Sequence, residues 1–236
     1  MGGRLRLRQP LRGYRAGLDA ALLAAAVGAR PGERVLEAGC GVGGALLQAA
    51  LRSPKARFTG VERDGAALEL ARSNIERNGM SGRVGAVAGD IGGGFRALEL
   101  PAFDAAFSNP PFFDDPGALR APAPERRGAW MADGGLGAWT GFLLKAVREG
   151  GRLTLIHRAD RLADLLGQLS ARAGSFQVRP VQPFADAPAK RVLVRAVKTG
   201  RAPLVLLPPL VLQERGGTWL PGTDAVLRSE AALSWA

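Results

Sequence analysis

The 236-residue chain has one cysteine, Cys40, and one histidine, His157. A lone cysteine excludes an intrachain disulfide framework. Without a Cys/His set, no metal cluster of the zinc type can be assembled. A reducing, cytoplasmic setting and no bound metal are therefore expected. No apolar run reaches the ~18 residues of a membrane span, so no membrane partner is expected either. Lysine is scarce: Lys55, Lys145, Lys190 and Lys198 are the whole set. Positive charge is nevertheless in excess, with 32 Lys and Arg against 21 Asp and Glu and a formal net charge of +11. Such an excess suits a polyanionic partner such as nucleic acid. GC-rich coding would also produce arginine in place of lysine, together with the abundant alanine and glycine.

Hydrophobic residues make up 47% of the chain, enough for a sizeable core in one generous domain, or a domain with a short extension. Three parts are expected: a basic strand and helix over residues 1–30, a core over 31–200, and an extended tail over 201–236. The first part begins Arg4-Leu5-Arg6-Leu7-Arg8, the alternation of a half-buried strand. Its arginines read either as the wet side of an edge strand or as a basic strip that touches phosphate. Arg12 and Arg15 follow, then an apolar helix over residues 20–27 with Asp19 as its N-cap. A basic stretch before an apolar one imitates a secretory leader. The acid at the border and the length of the basic region speak against export.

From Arg34 the pattern alternates. Strands are predicted over residues 34–38, 58–62, 84–88, 103–108 and 153–157. Helices fall between them, from about residue 45 to 51 and 65 to 78. A further helix over 139–148 is stopped by Gly150-Gly151, and another covers 162–173. Repeated strand–helix units imply an α/β protein with a parallel sheet covered on both faces. Residues 176–183 and 191–198 leave no room for a helix between them, so they predict a terminal antiparallel pair. The stretch 114–135, rich in Pro, Gly and Ala, is too long for a routine connection and reads as a mobile substrate loop.

Two motifs carry chemistry. Glu37-Ala38-Gly39-Cys40-Gly41-Val42-Gly43 follows the first strand of the repeat. Glycines there permit a tight turn and close approach of a ligand to the backbone. Gly39, Gly41 and Gly44 also satisfy the dinucleotide pattern G-x-G-x-x-G, so the loop alone leaves a dehydrogenase open. Glu37 favours a ligand with an ammonium group over a pyrophosphate, which a carboxylate would repel. Glu62 ends the second strand, where ribose hydroxyls are bound in either class, and Asp90 follows the third. The second motif is Phe103-Asp104-Ala105-Ala106-Phe107-Ser108-Asn109-Pro110-Pro111-Phe112, a short buried strand ending in a rigid turn. The Asn109 side chain and the Pro110 carbonyl are two acceptors held together, suited to a planar amino group. Phe112 offers a face on which a flat ring can stack.

The order Glu37-x-Gly39-x-Gly41-x-Gly43, Glu62, Asp90, Asn109-Pro110-Pro111-Phe112 resembles the S-adenosylmethionine-dependent methyltransferases of the Asn-Pro-Pro-aromatic type. The segment Gly13-Tyr14-Arg15-Ala16-Gly17-Leu18-Asp19, the run Ala189-Lys190-Arg191-Val192-Leu193-Val194 and the tail Leu207-Pro208-Pro209-Leu210-Val211-Leu212 are similar to bacterial tRNA adenine-N6 methyltransferases. The resemblance implies a Rossmann-like class I methyltransferase fold, with a mostly parallel seven-stranded sheet and a C-terminal antiparallel pair. It implies S-adenosyl-L-methionine as cofactor and RNA, with tRNA foremost, as partner of a protein expected to be monomeric. Gly39, Gly41 and Gly43, with Cys40 between them, would line the methionine and ribose side. Glu37 would lie near the amino group, Glu62 on the ribose hydroxyls with Arg63 beside it, and Asp90 on the adenine. Asp19 would complete the methionine pocket. Asn109, Pro110, Pro111 and Phe112 would form the catalytic turn. The same turn can grip a protein glutamine amide or an rRNA base. A nicotinamide-dependent oxidoreductase and a non-catalytic RNA-binding module are the readings from other classes.

Overall fold

The computed structural model describes residues 3–10, 17–111 and 135–235. Its centre is β1 (Arg34–Ala38), where Val35, Leu36 and Ala38 are inaccessible to solvent, as befits a strand covered on both faces. β2 (Arg57–Glu62) and β4 (Phe103–Ser108) flank it in parallel, with Glu37 level with Gly60 on one side and Phe107 on the other. β3 (Val84–Ala88) lies beyond β2, and β5 (Val147–Arg158) beyond β4. β7 (Arg191–Lys198) runs antiparallel to both β5 and β6 (Ala173–Gln182). The order is β3-β2-β1-β4-β5-β7-β6-β8, where β8 is Val205–Leu206; β9 (Leu210–Val211) also pairs with β6. These two short strands raise the expected seven to nine. Pro203, Pro208 and Pro209 lack the N–H needed to lengthen them.

Strand alternation divides the core. Val35, Phe58, Phe107 and Ile156 face α1 (Leu18–Val27), α2 (Gly44–Arg52) and α3 (Gly65–Arg77). Leu36, Val61, Ala106, Leu153 and Leu155 face α4 (Gly135–Ala146) and α5 (Leu162–Ser170). The direction of chain progression reverses between β1 and β4. In open α/β sheets the ligand crevice lies at such a reversal, outside the strands' carboxyl ends.

Four local expectations are corrected. Asp19 is not the N-cap of α1; Gly17 holds that position, and Asp19 lies in the first turn. α4 ends at Ala146, before the glycine pair, and β5 begins at once. Phe103 pairs with Val147 but Ala105 pairs with Arg152, so residues 148–151 bulge out of the β4–β5 ladder. Gly150 has φ 72°, and a Cβ on Gly151 would lie 2.7 Å from the Arg148 carbonyl oxygen, so the glycines serve the bulge. Residues 4–8 belong to no ladder among the described residues. Their alternation survives, with Leu5 buried and Arg4, Arg6 and Arg8 exposed. Finally, the tail is more than an extended strap, for it contains α6 (Pro221–Leu227), with Pro at the first helical position where no N–H is needed.

The tail also closes the α1 face. Leu207, Leu212, Val226 and Trp235 join its core. The Trp235 Nε1–H donates to the Ala26 carbonyl at 2.8 Å, and the Arg195 guanidinium lies 4.5 Å from the ring centroid. Trp235→Ala is expected to lower the unfolding free energy in urea by about 3 kcal/mol, the usual effect of emptying a buried aromatic site. A loss below about 0.5 kcal/mol, typical of a surface change, would show that the tail does not support the fold.

Candidate active site

The carboxyl ends of β1, β2, β3 and β4 converge on one crevice. β1 runs into a turn in which Gly39, Gly41 and Gly43 have φ of 69°, 54° and 82°, and Gly43 caps α2. Two of these glycines are required for different reasons. At Gly39 a Cβ would lie 2.3 Å from Cη2 of Trp139, on α4. At Gly41 a Cβ would meet nothing within 4 Å, so the left-handed φ and open space for a ligand are what the position provides.

Glu62 fastens this turn to the end of β2. Its Oε2 accepts from Gly41 N at 2.8 Å, and its Oε1 accepts from the backbone N–H groups of Arg63 and Asp64, each at 2.9 Å. A carboxylate has about four acceptor sites, so a hydroxyl can still be taken on Oε2. Glu37 is the more unusual group. It is buried, the Leu46 backbone N–H donates to it, and its Oε2 has no partner among the described residues. Burial, and next the charge of Glu62, push its pKa well above the usual 4.5. Two carboxyl groups converging on one turn, one with an orphaned oxygen, fit a cationic ligand.

Asp90 and Arg63 line an open cleft of about 590 Å3, with Asp64, Ala88 and Gly89 completing the lining. Asp90 Oδ1 accepts from Gly92 N at 2.9 Å, and its Oδ2 lies 3.9 Å from Arg63 Nη1. A flat, partly polar ring suits this space. On the other side of β1, the Ser108 hydroxyl donates to the Ala38 carbonyl at 2.8 Å, joining the end of β4 to the glycine turn. Asn109 follows, half-buried, and its Oδ1 is buried with no partner among the described residues. Pro110 is buried and Pro111 half-buried.

The remaining expectations fare differently. Asp19 faces Arg191, whose Nε donates to its Oδ2 at 3.2 Å, so this acid is already compensated. The Cys40 side chain points into the core, where its Sγ would lie 2.6 Å from a Cβ on Gly60. Burial raises its pKa well above the usual value, which suits a packing role and not a nucleophile. His157 lies near the carboxyl end of β5, beside β4. Burial first, then the charges of Arg161, Arg158 and Arg191, lower its pKa to about 4, so it is neutral at pH 7. Phe112 falls outside the described residues, as do Arg12, Arg15 and residues 114–134 of the expected substrate loop. Among the described residues there is no group of three or more His, Cys, Asp or Glu placed to hold a metal, and no helix long and apolar enough to cross a membrane. Trp139, Ser108 and Gly60 escaped sequence reasoning, because each acts through a contact distant in the chain.

Glu37 allows a pH prediction. Its folded pKa is raised, so above about pH 4.5 the folded state retains a proton that the unfolded chain has released. Stability that depends on this proton is present below that pH and declines as pH rises towards the folded pKa. Glu37→Gln should therefore melt higher than the parent at neutral pH while binding the cofactor more weakly; a variant that melts lower at every pH would contradict the assignment. Gly39→Ala must displace Trp139 as well as adopt a left-handed φ. It is expected to lose at least about tenfold in cofactor affinity by calorimetry, a shift of roughly 1.4 kcal/mol.

The family model of the methyltransferase small domain matches residues 15–121. A tRNA1(Val) (adenine(37)-N6)-methyltransferase of Porphyromonas gingivalis is 34% identical over 195 residues, covering 76% of this chain and 72% of the relative. Its namesake from Yersinia pestis is 38% identical over 98 residues, covering 41% of this chain and 39% of the relative. A solved structure described as a predicted O-methyltransferase of Agrobacterium tumefaciens superposes with a TM-score of 0.76 at 28% identity, covering 92% of this chain and 98% of that one. With two carboxyl groups at a glycine turn, an adjacent ring-sized cleft and a relationship of this extent, the chain belongs to the class I S-adenosylmethionine-dependent methyltransferases, in the family that includes the bacterial tRNA1(Val) (adenine(37)-N6)-methyltransferases.

Proposed function

We propose that the acceptor is the exocyclic N6 amino group of an adenine in RNA, tRNA being the substrate class. The observation that carries this reading is the buried Oδ1 of Asn109, just after β4, which has no partner among the described residues. Left unsatisfied, such an oxygen costs about 1–3 kcal/mol; an incoming N–H removes that cost. An amino group brings two hydrogens, one for Asn109 and one for the Pro110 carbonyl. A hydroxyl brings one and would leave an acceptor unused, which favours nitrogen over oxygen as the target. The names of the Porphyromonas and Yersinia relatives agree, whereas the Agrobacterium structure is described as a predicted O-methyltransferase.

The cofactor supplies an electrophilic methyl group on a sulfonium. Glu37, on giving up the proton that burial makes it retain, would provide negative charge for its cationic end, Glu62 would offer an acceptor for ribose hydroxyls, and Asp90 with Arg63 would form the edge of the adenine cleft. The glycine turn, Cys40 included, contributes its backbone. An adenine amino nitrogen is a poor nucleophile because its lone pair is delocalised. Two acceptors on its hydrogens let it pyramidalise and direct the lone pair outward. Positioning and charge complementarity then account for most of the acceleration. The proton released after transfer goes to solvent. The base must leave its stack to reach the turn, and Phe112 follows in sequence as its stacking partner.

The arginines divide into two groups. Arg4 donates to the Arg228 and Ser229 carbonyls and Arg191 to Asp19, so both are engaged within the fold. Arg6, Arg8 and Lys190 are exposed and form no ion pair among the described residues, and they remain for phosphate. Incubation with labelled S-adenosylmethionine and total bacterial RNA, followed by nucleoside analysis, is expected to place the label in N6-methyladenosine of tRNA. Label in another base or in protein would overturn the proposal. Asn109→Ala should lower the rate by about 10²–10³ and leave cofactor affinity as in the parent. In filter binding between about 50 and 200 mM salt, the double reversal Arg6→Glu, Arg8→Glu should weaken tRNA binding and flatten its salt dependence. Binding equal to the parent's would remove this strip from the RNA surface.

A further inference from the structure

Asn74 is fully buried in the last turn of α3. A buried amide is tolerable when its hydrogen-bonding groups are satisfied, and here both hydrogens are used. Nδ2 donates to the Arg8 carbonyl and to the Val42 carbonyl, each at 2.9 Å, while Oδ1 accepts from Arg8 N at 2.7 Å. Asn78, one turn later, repeats the first half of this pattern. Its Oδ1 accepts from Arg6 N at 3.0 Å, and its Nδ2 donates to the Arg6 carbonyl at 2.9 Å. Its second hydrogen goes to the Asn74 carbonyl at 2.7 Å. Two helix side chains four apart thus grip residues 6 and 8 as a neighbouring strand would. Extended backbone has period two, so the side chains of both residues project the same way, into solvent.

The two asparagines differ in one respect. Asn78 holds the N-terminal arm alone. Asn74 holds the arm with one hydrogen and the glycine turn with the other, for Val42 lies between Gly41 and Gly43. An amide that serves two segments fixes each relative to the other. We propose that Asn74 is a positioning residue that links the basic arm to the cofactor turn, so that nucleic-acid phosphate held at Arg6 and Arg8 and cofactor held in the turn strengthen each other's binding. The linkage rests on the RNA reading given above; the hold of Asn74 on the cofactor turn does not. The two-state element is the arm, docked on the asparagines or released from them. A phosphate that binds the docked arm raises the fraction of molecules whose Val42 carbonyl is tethered, and by linkage cofactor must raise RNA affinity by the same factor.

The test compares Asn74→Leu with Asn78→Leu, measuring thermal unfolding, cofactor affinity by calorimetry without RNA, and tRNA affinity with and without S-adenosylhomocysteine. In the parent, tRNA affinity should rise at least about fivefold with bound ligand, the lower end of ordinary coupling. Asn78→Leu should weaken tRNA binding and leave cofactor affinity intact. Asn74→Leu should weaken both and abolish the coupling. Equal cofactor affinity in Asn74→Leu and parent, or an equal loss in both variants, would overturn the positioning role. Should Asn74→Leu fail to fold, the parent decides: tRNA affinity unchanged by ligand overturns the linkage, and the predicted rise supports it. A parent that binds no tRNA defeats the RNA reading and the linkage. The RNA-free calorimetry then still judges the hold of Asn74 on the turn.

Discussion

The arrangement depends on two carboxyl groups brought against one glycine turn, one of them where water does not reach it. Glu37 and Glu62 arrive at the same glycine turn from adjacent parallel strands, because β1 and β2 keep Glu37 level with Gly60. Glu62 meets its need for donors from the turn's own backbone. Glu37 does not, and its carboxyl group holds its proton strongly. The protein without ligand thus carries a defect that a cationic ligand repairs. Destabilisation of this sort is common where a site is shaped for something other than water.

The same economy governs the other side of β1. The turn after β4 is rigid because it is made of proline, and it is placed because Ser108 bonds across to Ala38. Asn109 is left presenting an acceptor that the fold itself does not use. Glu37 and Asn109 therefore share a physical signature, an unsatisfied buried oxygen, and they lie on the two strands that flank the reversal in the sheet.

Most of this was legible in the sequence, and its limits have definite causes. Strand–helix alternation located seven strands, six of them to within three residues, because buried strands leave apolar runs; β5 starts at Val147, six residues before the expected 153, because its first part lies beyond the glycine bulge. Glu37, Glu62, Asp90 and Asn109 could be singled out because each lies within two residues of a strand's carboxyl end, and strand ends are readable. Asp19 was misjudged because an acid near a helix start looks like a cap, whereas its partner Arg191 is 172 positions away. The Gly150-Gly151 pair was read as a helix stop, since a bulge and a terminator use the same residue. Asn74, Ser108 and Trp139 gave no local signal, because a hydrogen bond or contact across the fold has no sequence period. The strand expected at residues 4–8 showed the right alternation, but its partners proved to be side chains of a helix.

The bond from Trp235 to the Ala26 carbonyl spans 209 positions of the chain. During synthesis, α1 leaves the ribosome long before the residue that covers it. At about 5–20 residues per second, that delay is roughly 10–40 s. For this interval the apolar helix and its last carbonyls lack their final cover, and the nascent chain presents a sticky face to its surroundings. The arginines on either side of that helix keep such an intermediate positively charged, which opposes self-association while it waits.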